Sequence, residues 1–104
     1  MIRHAFKMQL KPGNEAEYKR RHDEIWPELA AALTAAGVSD YAIYLDEETL
    51  VLFGVLKLTD DNTFANVPNL PIVKRWWEYM APLMDTNADH SPVAVTLPEV
   101  FYLA

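Results

Sequence analysis

Leu50-Val51-Leu52-Phe53-Gly54-Val55-Leu56 is the stretch on which the architecture turns. Branched and aromatic residues alternate here with more apolar residues, so a strand built from it is hydrophobic on both faces. Immediately before it, Asp46-Glu47-Glu48-Thr49 is a polar connection, and Tyr41 to Leu45 is a second apolar run. The two runs therefore read as a hairpin, with the returning strand extending to Leu58. Helices packed on one face of such a sheet leave the other face uncovered. A second subunit laid across it would complete the burial, which predicts a homodimer closed by twofold symmetry. The alternative is that the polar loop and the C-terminal tail cover that face.

Working outward, Ile2 to Leu10 alternates as a strand, with Ile2, His4, Phe6, Met8 and Leu10 on one face. Lys11-Pro12-Gly13-Asn14 is a turn, with Asn14 placed to cap a helix that has Glu15 and Glu17 in its first turn. That helix carries Tyr18 and His22 and breaks at Pro27, where a second helix starts on its proline and runs to Ala36, stopping at Gly37. Asp60 and Asp61 favour a helix start, and the segment to Leu70 is ambiguous, with Pro68 and Pro71 limiting continuous helix. Ile72 to Met84 reads as a helix with Ile72, Val73, Trp76, Tyr79, Met80 and Leu83 on its apolar side. Asp85 to Pro92 is a polar loop, and Val93 to Leu103 a final strand interrupted near Pro98. The βαββαβ order predicts a single α+β domain over 1–104 of the ferredoxin-like kind, an antiparallel sheet with its helices on one face.

Composition narrows the function classes. With 104 residues and 51% hydrophobic side chains, the chain suits one folded domain. A net charge of −6 opposes nucleic acid and anionic membranes as partners. No cysteine is present, so thiolate chemistry and disulfides are excluded, in keeping with the cytoplasm. The charged N-terminus does not read as a signal peptide, and no run of about 18 apolar residues suggests a membrane span.

Chemistry concentrates in Tyr18-Lys19-Arg20-Arg21-His22-Asp23-Glu24-Ile25-Trp26-Pro27-Glu28-Leu29. Tyr18 and His22 leave one helical face a turn apart, and the break at Pro27 makes a corner in which a pocket can form. His22 is the side chain best matched to proton transfer near neutral pH, with a reference pKa of about 6.5; the competing reading is a surface histidine beside Arg21 and Asp23. Tyr18 equally reads as a residue packed on the sheet. Adjacent Trp76 and Trp77 point about 100° apart on a helix, so one is core and the other lines a cavity, interface or ligand. Tyr41 and Tyr44 fall on opposite strand faces, so only one of them can share a pocket with His22.

His4, His22 and His90 show no metal-ligand spacing, and no Gly-rich phosphate loop or serine elbow occurs, so no metal or cofactor is expected. Aromatic faces, a few donors and a histidine suit a sugar or similar polyol ring. A small monooxygenase and a non-catalytic sugar-binding module are the rival readings.

The blocks Tyr18 to His22, Ile25-Trp26-Pro27-Glu28-Leu29, Tyr41 to Asp46, Arg75-Trp76-Trp77 with Tyr79-Met80, Ser91-Pro92 and Val100 to Leu103 resemble those of the L-rhamnose mutarotase family over nearly the whole chain. Asp89-His90 stands where the family pattern has Asp-Asn. The resemblance implies a dimeric α/β-barrel that interconverts the α and β anomers of L-rhamnose in the cytoplasm without a cofactor. It further implies His22 as proton donor, with Tyr18, Tyr41, Trp76 and Trp77 contacting the sugar.

Overall fold

The computed structural model describes residues 1–104. In chain order the elements are β1 (Ile2–Gln9), α1 (Glu15–Asp23), α2 (Pro27–Ala35), β2 (Val38–Leu45), β3 (Val51–Leu58), α3 (Pro71–Met80) and β4 (Val95–Thr96). β1 and β3 pair antiparallel without a register shift, from Ile2 opposite Leu58 to Gln9 opposite Val51. β2 flanks β3 and β4 flanks β1, giving a four-stranded antiparallel sheet in the order β2-β3-β1-β4. This is the ferredoxin-like α+β arrangement expected from the element order. No helix is long and apolar enough to cross a membrane.

Alternation along β3 separates the two faces of the sheet. Leu52, Leu56 and Leu58 are buried together with Met8 of β1 and Val38 of β2, under the helices. Full burial of a side chain such as Leu52 contributes about 1.5–3 kcal/mol. On the other face Val51 and Phe53 are half-buried, and Val55 and Tyr44 are exposed. Burial of β3 within one chain is therefore one-sided, because all three α-helices lie over the same face.

Gly54 sits directly opposite Phe6 on the covered face. A Cβ at this position would fall on the Phe6 ring, so the missing side chain makes room for that ring to lie across the strand.

Local sequence explains most of the helix boundaries. Acidic residues occupy the first turn of α1 and Arg20, Arg21 and His22 its last, matching the helix dipole. Asn14 holds the N-cap position, but its side-chain amide donates to the Lys11 and Pro12 carbonyls instead of capping the helix. Pro27 and Pro71 each stand in the first turn of a helix. α1 ends at Asp23 rather than at Pro27, since Trp26 is extended (φ −60°, ψ 127°) ahead of the proline and the unwinding begins earlier. Gly37, at φ 96°, takes the left-handed conformation that closes α2 and leads into β2.

Other expectations change. β2 begins at Val38, not Tyr41, and Leu50, at φ 62°, belongs to the hairpin turn. Asp60 and Asp61 form a turn, and the helical segment that follows is a 3-10 piece, Phe64–Asn69, in which Pro68 limits regular bonding. The long helix ends at Met80 and continues as a 3-10 turn over Ala81–Leu83, where Pro82 lacks the donor an α-helix needs. The final strand shrinks to Val95–Thr96, because Pro92 and Pro98 on either side cannot donate to a ladder. Beyond it Val100, Phe101 and Leu103 are 93%, 76% and 79% exposed.

Gly54→Ala will lower stability by ~1–3 kcal/mol, as the added methyl displaces the Phe6 ring. Urea denaturation with both variants at the same pH measures the difference.

Candidate active site

Tyr18 is the one buried residue of α1, at 8% exposure, and its position determines that of His22. The two rings stack one helical turn apart with centroids 4.3 Å apart and planes at 29°. His22 Nδ1 lies 3.0 Å from the Tyr18 carbonyl oxygen. A carbonyl only accepts, so Nδ1 carries the proton and donates it there, which makes Nε2 the acceptor of the neutral ring. Burial pulls the His22 pKa below its usual value, against the opposing pull of the Tyr18 carbonyl and the Asp23 charge. At neutral pH the imidazole is therefore uncharged.

The opposite wall comes from α3. Trp76, buried at 8%, presents an edge-to-face contact to His22 with centroids 5.3 Å apart and planes at 88°. Trp26, from the linker between α1 and α2, packs perpendicular to Trp76 at 5.1 Å. Trp77 is half-buried. The tryptophan pair thus differs in burial, as adjacent helical positions require, yet both members line the same cleft.

β2 supplies Tyr41. Between Ser39 and Ala42 the register shifts, with Asp40 at φ 47°, so that Asp40 and Tyr41 together occupy the space opposite Leu56. This bulge keeps Val38 and Tyr41 on one face of the strand, where strict alternation would have put them on opposite faces. Tyr41 accordingly approaches Phe6 on the covered side, with ring centroids 6.2 Å apart. Burial pushes its phenol up to about 12, while 40% of the residue stays accessible, as suits a side chain on a cavity wall. Tyr18 is raised further, by burial first and by the nearby Tyr41 second. Both phenols are therefore protonated donors at neutral pH.

These side chains border one cleft of about 910 Å³ between the helices and the edge of the sheet. Tyr18, His22, Tyr41, Trp76 and Trp77 all line it, with Leu29, Ile43 and Met80 among its apolar contacts. Tyr44 also borders the cleft, although it stands on the opposite strand face. The expectation that only one of the two tyrosines borders the site is therefore not met, β2 being the edge strand of the sheet. Ser39, Asp40 and Pro92 line the cleft as well; of these only Pro92 figures in the sequence argument, within the Ser91-Pro92 block. Ser39 carries a buried hydroxyl oxygen without a partner; a serine in a strand gives no signal of that kind. A second cavity of about 410 Å³ holds Arg3, Asp40, Lys57 and Glu99, but its charges are paired as Arg3–Glu99 at 2.8 Å and Lys57–Asp40 at 3.1 Å. No three histidine, aspartate or glutamate side chains gather as a metal-binding group.

Fold and cleft together define a small ferredoxin-like α+β protein with an aromatic-walled site and an uncharged histidine in it. The family model described as L-rhamnose mutarotase matches residues 3–103. The L-rhamnose mutarotase of Brucella anthropi is 59% identical over 101 residues, covering 97% of this chain and 95% of that one. That of Sinorhizobium fredii is 54% identical over 104 residues, covering both chains completely. The crystal structure of L-rhamnose mutarotase from Formosa agariphila superposes with a TM-score of 0.93 at 47% identity, covering 100% of each chain. The chain belongs to the L-rhamnose mutarotase family.

The His22 shift has a consequence for stability. Its folded pKa lies below its unfolded value near 6.5, so the unfolded chain binds the proton more readily. The contribution of the neutral ring is complete above about pH 6.5 and is lost as pH falls through that value towards the folded pKa. Denaturation midpoints between about pH 5 and pH 8 will show this acid-side loss, and His22→Gln will flatten it.

Proposed function

We propose that this chain interconverts the α and β anomers of L-rhamnose, with His22 as the proton carrier and Tyr18, Tyr41, Trp76 and Trp77 as the sugar contacts. The observation that carries the site assignment is the His22 ring itself. It is neutral, held at Nδ1 by the Tyr18 carbonyl, and placed between Tyr18 and Trp76 on the wall of the cleft. Family membership supports the substrate, since the matched relatives are named L-rhamnose mutarotases.

Anomer exchange needs only proton movements around one C–O bond. In the opening step Nε2 of His22 takes the proton from the anomeric hydroxyl, the bond between C1 and the ring oxygen breaks, and C1 becomes a carbonyl. The imidazolium then delivers that proton to the former ring oxygen. Rotation about C1–C2 presents the other carbonyl face. On reclosure the hydroxyl attacks C1, loses its proton to Nε2, and the same proton passes to the carbonyl oxygen. The proton count closes over the cycle, so the histidine acts as acceptor first and donor second in each direction. The Nδ1–H bond to the Tyr18 carbonyl stabilises the transient cation, and the Asp23 charge favours it too. The phenols of Tyr18 and Tyr41 stay protonated and orient the sugar oxygens, while indole faces suit the apolar faces of a pyranose.

A homodimer and a cytoplasmic location form part of this reading. The uncovered sheet face with Phe53, Val55 and Tyr44, and the exposed apolar tail Val100 to Leu103, are surfaces that a second copy would bury.

His22→Ala and His22→Gln will retain the fold and reduce the anomer exchange rate by roughly 10²–10⁴, read by saturation-transfer NMR on the anomeric protons of L-rhamnose. Wild-type exchange in either variant would remove His22 from the mechanism. Because the neutral ring starts the cycle, the wild-type rate will fall on the acid side, with a midpoint below about pH 6.5. Sedimentation equilibrium at micromolar concentration will show a dimer; a stable monomer would refute the assembly.

A further inference from the structure

α1 bears the proposed proton carrier, yet most of it is solvated, with Tyr18 its one buried residue. The charges on its outer surface pair within the helix or at its end: Lys19 with Asp23 at 2.8 Å, and Arg20 with Glu17 at 2.7 Å and with Glu24 at 2.5 Å. Arg20 also meets the Tyr79 side chain, but Arg21 makes the fuller connection to α3. Its Nε donates to Glu17 at 2.7 Å, and its Nη1 donates to the backbone carbonyl of Tyr79 in the last turn of α3. The guanidinium also lies over the Tyr79 ring, 4.1 Å from the centroid, and the side chain is only 17% exposed. The Tyr79 ring packs against Trp76 at 5.8 Å and Trp26 at 5.5 Å, and Trp76 meets the edge of His22. The contacts form a closed circuit from Arg21 through Tyr79 and Trp76 to His22, which is the next residue along the chain.

We infer that Arg21 is a positioning residue for the reaction: by latching α1 to the last turn of α3, it sets the distance between the His22 imidazole and the Trp76 wall of the cleft. The inference rests on the reading of His22 as proton carrier. Arginine suits the task because one planar group meets a carboxylate, a carbonyl and an aromatic face at once, which a lysine ammonium cannot. Glu17 aims the guanidinium and is ionised at neutral pH, its carboxyl lowered to about 2 by hydrogen bonds from Arg20 and Arg21. Removing Arg21 leaves Glu17 paired with Arg20, which still meets the Tyr79 side chain, so the internal charge pattern of the helix survives while the bond to the Tyr79 carbonyl and the stacking on its ring are lost.

The test uses Arg21→Ala and the milder Arg21→Lys in the full-length protein. Unlatching α1 will lower kcat for L-rhamnose anomer exchange by roughly 10- to 10²-fold, with a smaller change in KM because the sugar contacts remain. It will also admit water to His22. The titratable and charged groups that line the cleft with that ring are Glu15, Tyr18, Lys19 and Asp23 from α1 and Asp40, Tyr41 and Tyr44 from β2, whereas α3 contributes the uncharged Trp76, Trp77 and Met80. None of these groups is altered in the variants, and Arg21→Lys keeps the positive charge beside His22, so proton NMR of the His22 ring in that variant reports the latch, and its midpoint will rise towards 6.5. Leu58→Ala, in a separate small cluster with Val38 and Leu56, provides a destabilised control with α1 intact. Its His22 midpoint will stay at the wild-type value. Wild-type kcat and His22 titration in both Arg21 variants would overturn the inference, as would an equal shift of the midpoint in Leu58→Ala. Should the wild type fail to exchange rhamnose anomers, the proposed function falls, while the NMR midpoint still decides whether Arg21 holds the ring.

Discussion

The site depends on one packing event, the burial of Tyr18 against the covered face of the sheet. α1 is too polar to dock by a hydrophobic stripe, so a single aromatic side chain does most of what a row of leucines does for other helices. Its effect extends past anchoring. The Tyr18 carbonyl selects the His22 tautomer, and the Tyr18 ring fixes the plane in which the imidazole lies. The burial that anchors the helix also lowers the histidine pKa and raises the phenol pKa. One desolvated surface thus holds a neutral imidazole and a protonated phenol side by side.

The sheet contributes rigidity and direction. β1 and β3 pair in full register at its centre, and Gly54 lets the Phe6 ring cross the strand towards Tyr41. At the edge, the Asp40 bulge allows β2 to send Val38 into the core and Tyr41 to the cleft from the same face. The bulge thus keeps core packing and a place on the cleft wall compatible along one short strand. An excess of acid side chains across the molecule, net charge −6, leaves the cleft itself largely aromatic and apolar. A neutral, hydroxyl-bearing ring is the kind of ligand such walls accept without a charge to bury.

Much of this architecture was legible in the residues. The order of strands and helices, the ferredoxin-like class, the proline that opens α2 and the shared helical face of Tyr18 and His22 all follow from short-range rules. Those rules act between neighbours a few residues apart: period, capping, the missing proline donor and the i, i+4 geometry of a helix. Resemblance to the L-rhamnose mutarotase family added the chemical meaning of the aromatic residues, which periodicity alone left between core and ligand. Several boundaries differ from the pattern, two of them for reasons equally local in origin: α1 unwinds ahead of its proline, and prolines trim the last strand to Val95–Thr96.

Other features came only from tertiary packing. That Trp76 is buried and still touches His22, that Tyr44 borders the cleft from the far side of an edge strand, and that Arg21 reaches a carbonyl 58 residues away were not readable from pattern. Nor was the register shift at Asp40, since alternation assumes a regular ladder and a bulge is decided by what both strands must bury. The sequence by itself determined which segments are helix and strand and which side chains could do chemistry. Tertiary structure decided which of them meet, because a contact between distant residues depends on how whole elements pack, and desolvation, the cause of the shifted pKa values, exists only once they have.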